Sequence, residues 1–181
     1  MAKTMTVLDI VEGRGYIAKI EQQSFVDGEG VRVSMYVSGC PFQCEGCYNV
    51  AAQKFNYGET FSDDILEEIL TYCEPDYISG LSILGGEPFC NIDITLKVAR
   101  AFREKFGQRK TLWVWTGFLF EYLKNDTGPR RQLLTFVDVL VDGLFIQSLY
   151  QANLAYKGSL NQRVIDVPRA LEMNRPIIYT E

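Results

Sequence analysis

Histidine is absent from this chain of 181 residues. That omission removes the commonest general base and every histidine-containing zinc site, and with them Ser-His-Asp and Cys-His catalysis. Any chemistry must rest on carboxylates, lysine, tyrosine, thiolates or a bound cofactor. No apolar run approaches the ~18 residues of a membrane span. The N-terminus MAKTMTVLDIVEGRG lacks the apolar core of a signal peptide, so a cytoplasmic protein with no membrane partner is expected. There is no long Lys/Arg cluster and the net charge is −5, which argues against a surface that tracks phosphates; nucleic acid is not an expected partner. Internal repeats and low-complexity tracts are also lacking.

What is present is ordinary for a globular protein: 47% of residues are hydrophobic and 23% charged. A chain of this length buries roughly 70% of its unfolded surface and folds without staples. A single domain over residues 1–181 is expected.

Apolar segments alternate between strand-like and helix-like periods, which indicates an α/β fold. Strands are expected at Tyr16–Gln22, Val31–Val37, Leu81–Leu84, Thr111–Trp115, Val137–Val141 and Arg163–Val167. The first two flank the turn Asp27-Gly28-Glu29-Gly30. After a long loop at roughly 38–60, a helix carries Ile65, Leu66, Ile69, Leu70 and Cys73 behind the possible N-caps Thr60 and Ser62; Cys73 reads as core packing. Asn91 is the expected cap of a helix that turns Val98, Ala99, Phe102 and Phe106 inward, and short helices are expected around Phe118–Leu123 and Arg131–Phe136.

This order implies a mainly parallel sheet with right-handed crossovers and functional residues at the carboxyl ends of its strands. About five to six strands, with helices on the outer face, are too few for a closed eight-stranded barrel, so a partial (β/α) barrel is expected. Residues 1–15 and 168–181 carry no readable motif; they are expected to frame or cap the sheet edge.

Three of the five cysteines, Cys40, Cys44 and Cys47, lie within eight positions. In a reducing compartment such clusters bind metal or do redox work. Spacings of three and then two residues let one loop wrap an iron–sulfur cube, and Gly39 and Gly46 permit tight turns around it. Three protein ligands would leave one iron open. A zinc site completed by Cys73 or Cys90 and a reactive disulfide pair are the other readings of the same residues.

The pattern Cys40-x3-Cys44-x2-Cys47 resembles the signature of the radical S-adenosylmethionine superfamily. There the open iron is chelated by the amino and carboxyl groups of S-adenosylmethionine, and a glycine-rich strand end with an acidic residue holds the methionine moiety. Gly85-Gly86-Glu87-Pro88 resembles that element; read alone it could be a plain turn before a helix. Many members carry an aromatic residue directly before the third cysteine, whereas here Gly46 stands there and Tyr48 follows. The run Gly46-Cys47-Tyr48-Asn49 is similar to the activating components of anaerobic ribonucleoside-triphosphate reductases. The segments 27–32, 113–118, 137–143 and 158–166 resemble the same subgroup of glycyl-radical-enzyme activases, so the likeness spans about 16–167. Departures are Glu29, where proline is frequent, and Phe42, where histidine is common.

The resemblance implies a [4Fe–4S] cluster on Cys40, Cys44 and Cys47 that cleaves S-adenosylmethionine reductively, yielding a 5′-deoxyadenosyl radical that takes hydrogen from a glycine Cα. Implied cofactor contacts are Gly46, Cys47, Tyr48, Gly85, Gly86, Glu87 and Pro88. Thr116 and Asp142, each just after an expected strand, are further candidates for bonds to the ribose or ammonium. Asn161, Gln162 and Arg163 are candidates for orienting the partner's glycine loop, whereas Trp113 and Trp115 are expected to pack. The implied partners are the large subunit of anaerobic ribonucleotide reductase and a low-potential electron donor. Alternatives are an activase of another glycyl-radical enzyme, a deazapurine-forming synthase, or a metal-binding protein without chemistry.

Overall fold

A computed structural model describes residues 15–180; the N-terminal extension up to residue 14, for which an edge-framing role is expected, lies outside the described residues. Seven strands form one sheet: β1 (Tyr16–Ser24), β2 (Val31–Val37), β3 (Glu59–Thr60), β4 (Ile78–Gly85), β5 (Thr111–Trp115), β6 (Val139–Asp142) and β7 (Arg163–Asp166). Their order is β3-β1-β2-β4-β5-β6-β7, so the sheet is open, with β3 and β7 at its edges. The centre β2-β4-β5-β6 is parallel, and β3-β1, β1-β2 and β6-β7 pair antiparallel. The six strands read from the sequence are all present; the two-residue β3 is the addition.

The helices are α1 (Asp63–Tyr72), α2 (Ile92–Phe106), α3 (Phe120–Asn125), α4 (Pro129–Phe136) and α5 (Val167–Glu172). Ser62 caps α1, its side chain accepting from the Ile65 N–H at 3.3 Å. Asn91 does not cap α2 with its side chain; it is committed elsewhere, as described below.

Strand alternation sorts the sheet into two faces. Val33, Met35, Val37, Leu81, Ile83, Leu112, Val114, Leu140 and Ile165 share one core with the buried faces of all five helices. The opposite face carries Arg32, Ser34, Tyr36, Ser82, Trp113 and Trp115. Arg32 is fully buried there, and among the described residues no carboxylate lies within ion-pair distance of it. It donates to Ser82 Oγ, to both oxygens of Thr111 and to the carbonyls of Leu81 and Glu29, and lies 5.3 Å from the Trp113 ring. Burial lowers its pKa to about 10, which leaves it charged at neutral pH. The C-terminal segment covers the β7 edge: Tyr179 N–H donates to Val164 O and Asp166 N–H to Ile177 O, both at 2.9 Å. The capping role expected for this end of the chain is met.

Candidate functional site

The cysteine loop leaves β2 and folds back on itself. Ser38 N–H donates to Tyr16 O (2.9 Å), Gly39 N–H to Ala52 O (2.7 Å) and Cys40 N–H to Gln53 O (3.0 Å). Gly39 has φ of 105°, and a Cβ there would lie 2.2 Å from the Phe55 ring, so only glycine serves. Further along, Cys47 N–H donates to Cys44 O at 3.2 Å and Asn49 N–H donates to Cys47 Sγ at 3.4 Å. The backbone N–H groups of Phe42 and Gln43 face Cys40, and that of Phe145 faces Cys44. All three thiols are half-buried; burial pushes the Cys40 thiol up to about 12 and raises that of Cys44. Ionising Cys40 and Cys44 is favoured by a positive charge at the loop, which a bound metal supplies.

A cavity of about 200 Å³ lies beside these thiols. Cys40, Cys44 and Cys47 form one wall. The others come from the carboxyl ends of successive parallel strands: Gly85, Gly86 and Glu87 at the end of β4, Trp115, Thr116 and Gly117 at the end of β5, and Gly143, Leu144 and Phe145 after β6. The sequence expectation that functional residues gather at strand ends is met.

Glu87 is 1% exposed, yet its carboxylate is well served. Oε1 accepts from Phe89 N–H (2.9 Å) and Thr116 Oγ1 (2.8 Å), and Oε2 accepts from Gly117 N–H (2.8 Å). It thereby ties the end of β4 to the end of β5. Burial still outweighs these bonds and raises its pKa to about 7. Its own backbone N–H donates to Gly39 O at 2.8 Å, and Asn91 Nδ2 donates to the same oxygen at 3.0 Å and to Glu87 O at 2.9 Å.

Of the residues singled out in the sequence, Cys40, Cys44, Cys47, Tyr48, Gly85, Gly86, Glu87 and Thr116 line this cavity, whereas Gly46, Pro88 and Asp142 do not. Asp142 shares the parity of Leu140 and so faces the helix layer. Fully buried, it accepts from Arg163 Nε (2.9 Å), Arg163 Nη2 and Phe120 N–H (2.8 Å). Trp115, expected only to pack, lines the cavity, with its Nε1–H donating to Tyr156 O at 2.8 Å. Gln162 also lines it and braces the wall: its Oε1 accepts from Gly158 and Ser159 N–H, and its Nε2 donates to Gly143 O at 2.9 Å. Asn49 joins the wall from the cysteine loop itself, and Phe145 from a loop that meets it only in space, a contact that no local pattern marks.

The donor set discriminates between the metal readings. A tetrahedral zinc with bonds of ~2.3 Å needs its sulfurs within about 4 Å of one another. Among the described residues no group of three or more Cys, Asp or Glu converges on a single-ion site. Cys73 is fully buried in the core below the sheet, and Cys90, also buried, does not line the cavity. Three thiols on one cavity, with neither Cys73 nor Cys90 there to complete a four-thiolate site, suit an iron–sulfur core whose ligands bind separate irons.

Residues 26–165 match the family described as a 4Fe-4S single cluster domain. The chain is also similar to proteins named anaerobic ribonucleoside-triphosphate reductase-activating protein. That of Pasteurella multocida is 38% identical over 141 residues, covering 76% of this chain and 88% of the relative. That of phage T4 is 34% identical, with 77% and 86% covered, and that of Escherichia coli K12 is 34% identical, with 77% and 90% covered. The span 26–165 encloses the cysteine loop and every strand end around the cavity, and with these relatives covering three quarters of its length this chain belongs to the radical S-adenosylmethionine 4Fe–4S family of anaerobic ribonucleoside-triphosphate reductase-activating proteins.

Proposed function

We propose that this protein activates an anaerobic ribonucleoside-triphosphate reductase by placing a glycyl radical on its large subunit, in the cytoplasm, with electrons from a low-potential donor. The observation that carries this reading is the convergence of the three thiols and the Gly85–Glu87 strand end on one cavity, in a chain whose relatives bear that activity in their names. Cys40, Cys44 and Cys47 would hold the [4Fe–4S] cluster. When bound, the cluster supplies the single electron that cleaves S-adenosylmethionine to methionine and the 5′-deoxyadenosyl radical, which removes a hydrogen atom from the glycine.

The chain's own residues bind, orient and shield. Gly85 and Gly86 let the strand end pack directly against β2 and the cysteine loop, where a Cβ would stand 2.8 Å from Tyr36 and 2.6 Å from Gly39 O, so the wall they form is fixed to that loop. A carboxylate offers about four lone-pair sites, so Glu87, with three donors already bound, keeps capacity for an ammonium. Thr116, held by Glu87, continues the cavity wall from the end of β5. Tyr48 and Trp115 supply apolar ring surface for an adenine, and with Phe42, Leu144 and Phe145 they keep bulk water from a reactive radical. Gly46, Pro88 and Asp142 act behind this lining, as a turn, a strand exit and a helix-side anchor.

The deciding experiment is one anaerobic turnover with a reductase large subunit carrying α-deuterated glycine. Deuterium in the 5′-deoxyadenosine and a glycyl electron-spin signal are expected. Cleavage of S-adenosylmethionine without label transfer to any reductase would point to a different radical enzyme of the same architecture.

A further inference from the structure

After β6 the chain runs alongside the cysteine loop and meets it at three successive places. Phe145 N–H faces Cys44, the Gln147 side chain lies where a Cβ on Gly46 would come within 2.8 Å, and Tyr150 Oη and Tyr48 Oη are 3.4 Å apart. Apolar side chains along the same stretch look outward. Ile146 and Tyr150 are 41% and 44% exposed, and Leu160, joined to the same stretch through its N–H to Leu149 O, is 48% exposed. Ser159 completes the platform, its Oγ accepting from Ile146 N–H at 3.2 Å and its backbone bridging Tyr150. Tyr48, 78% exposed, closes the row on the cysteine side.

We propose that Ile146, Tyr150 and Leu160, together with Tyr48, form the docking face for the glycine-bearing segment of the reductase large subunit. This rests on the function proposed above and adds the place of contact. Two observations select that occupant. The face borders the cavity through Tyr48, Leu144 and Phe145, so whatever sits on it reaches the thiols' side of the cavity first. Residues 143–156 contain no Asp, Glu, Lys or Arg, although the chain as a whole carries a net charge of −5. A shelf without charge offers nothing to phosphates or to a strongly acidic or basic peptide, and its exposed Gln147, Ser148, Gln151 and Asn153 beside the apolar side chains suit a neutral segment that presents backbone groups. Because the far side of the shelf touches the cysteine loop at three places, a docked segment also steadies that loop.

The test pairs Ile146→Glu with Leu160→Glu; neither residue lines the cavity wall formed by the thiols and strand ends. In the reconstituted double variant, iron content and S-adenosylmethionine cleavage driven by a chemical reductant should equal wild type. Its Kd for the large subunit should rise at least tenfold, and the glycyl signal should disappear. Should the double variant fail to retain iron, each single variant is measured instead, and a several-fold weaker Kd is expected from each. Unchanged affinity overturns the docking face while leaving the function standing, provided the wild type activates the same subunit. A wild-type dimer that becomes monomeric in the variant also overturns it, since the shelf would then receive a second copy of this chain. Failure of the wild type to bind or activate any reductase subunit defeats the functional reading itself.

Discussion

The carbonyl oxygen of Gly39 accepts the backbone N–H of Glu87 at 2.8 Å, joining the cysteine loop to the glycine-rich strand end. Gly86 N–H donates to Val37 O at 2.7 Å beside it, and Asn91 Nδ2 adds a second bond to Gly39 O. Two motifs far apart in sequence are thus one backbone unit, and disturbing either disturbs both.

Gly86→Val tests that unit. A Cβ at Gly86 would stand 2.6 Å from Gly39 O and 2.9 Å from Ala52 O, both backbone atoms of the cysteine loop. From sequence, the expectation is loss of S-adenosylmethionine affinity with iron content intact; the packing instead predicts loss of both, because the loop must move to admit the side chain. Iron per chain after anaerobic reconstitution, followed by calorimetric titration, measures the two effects separately. Full iron with weakened binding would return the turn to a purely ligand-binding role.

Replacing Cys40, Cys44 or Cys47 by Ala should abolish the ~400 nm absorption of a reconstituted cluster and its roughly four irons per chain. Cys73→Ala and Cys90→Ala should retain both, since Cys73 packs in the core and Cys90 lies off the cavity. Cys73→Ala should cost about 1 kcal/mol through the small void it leaves. A requirement for Cys90 would instead indicate a four-thiolate site with no open iron.

Glu87 makes stability depend on pH. Its folded pKa, raised by burial to about 7, exceeds the ordinary 4.5, so the folded state binds the proton more tightly than the unfolded chain does. Folding therefore loses stability as pH rises from about 4.5 to about 7, by at most roughly 3 kcal/mol for this one group. Urea midpoints of the metal-free wild type and Glu87→Gln, taken at intervals across that window, should shift in favour of the variant with rising pH. Parallel curves would mean that the carboxylate is already satisfied in its charged form.

Arg163 joins Asp142, which is fully buried, to Glu121 on α3, with bonds of 3.0 and 2.8 Å to the latter. Removing the cation in Arg163→Met strands a buried carboxylate and should cost about 3–5 kcal/mol. Asp142→Asn should destabilise as well, yet leave S-adenosylmethionine affinity unchanged in the folded fraction, because this side chain faces the helices. Weakened binding at full stability would restore it to the cofactor contacts.

How far the site was legible follows from the range of each signal. Cys40, Cys44 and Cys47 sit on one loop, and Gly85-Gly86-Glu87-Pro88 is contiguous, so both motifs stood in plain sequence. The strands were legible through alternation and four of the five helices through their spacing; the two-residue β3 is too short to show a period, and α5 begins at Val167, where the sequence suggests a strand stopped by Pro168, with that proline in its first turn and Asp166 as its cap. Asn91 misled because asparagine before an apolar helix usually caps it, whereas here its amide reaches Gly39 and Glu87 instead.

The sequence alone therefore determined the fold class, the thiol ligands on offer and the turn beside them, because these depend on residues near one another in the chain. The tertiary structure decided which strand-end side chains face the cavity: Thr116 and Trp115 do, while Asp142 turns to the helix layer. It also decided that Phe145, Gln147 and Tyr150 back onto the cysteine loop. Strand parity and loop-to-loop contact across a hundred residues are settled only when the whole sheet is assembled, since no local pattern encodes which distant surface a side chain will meet.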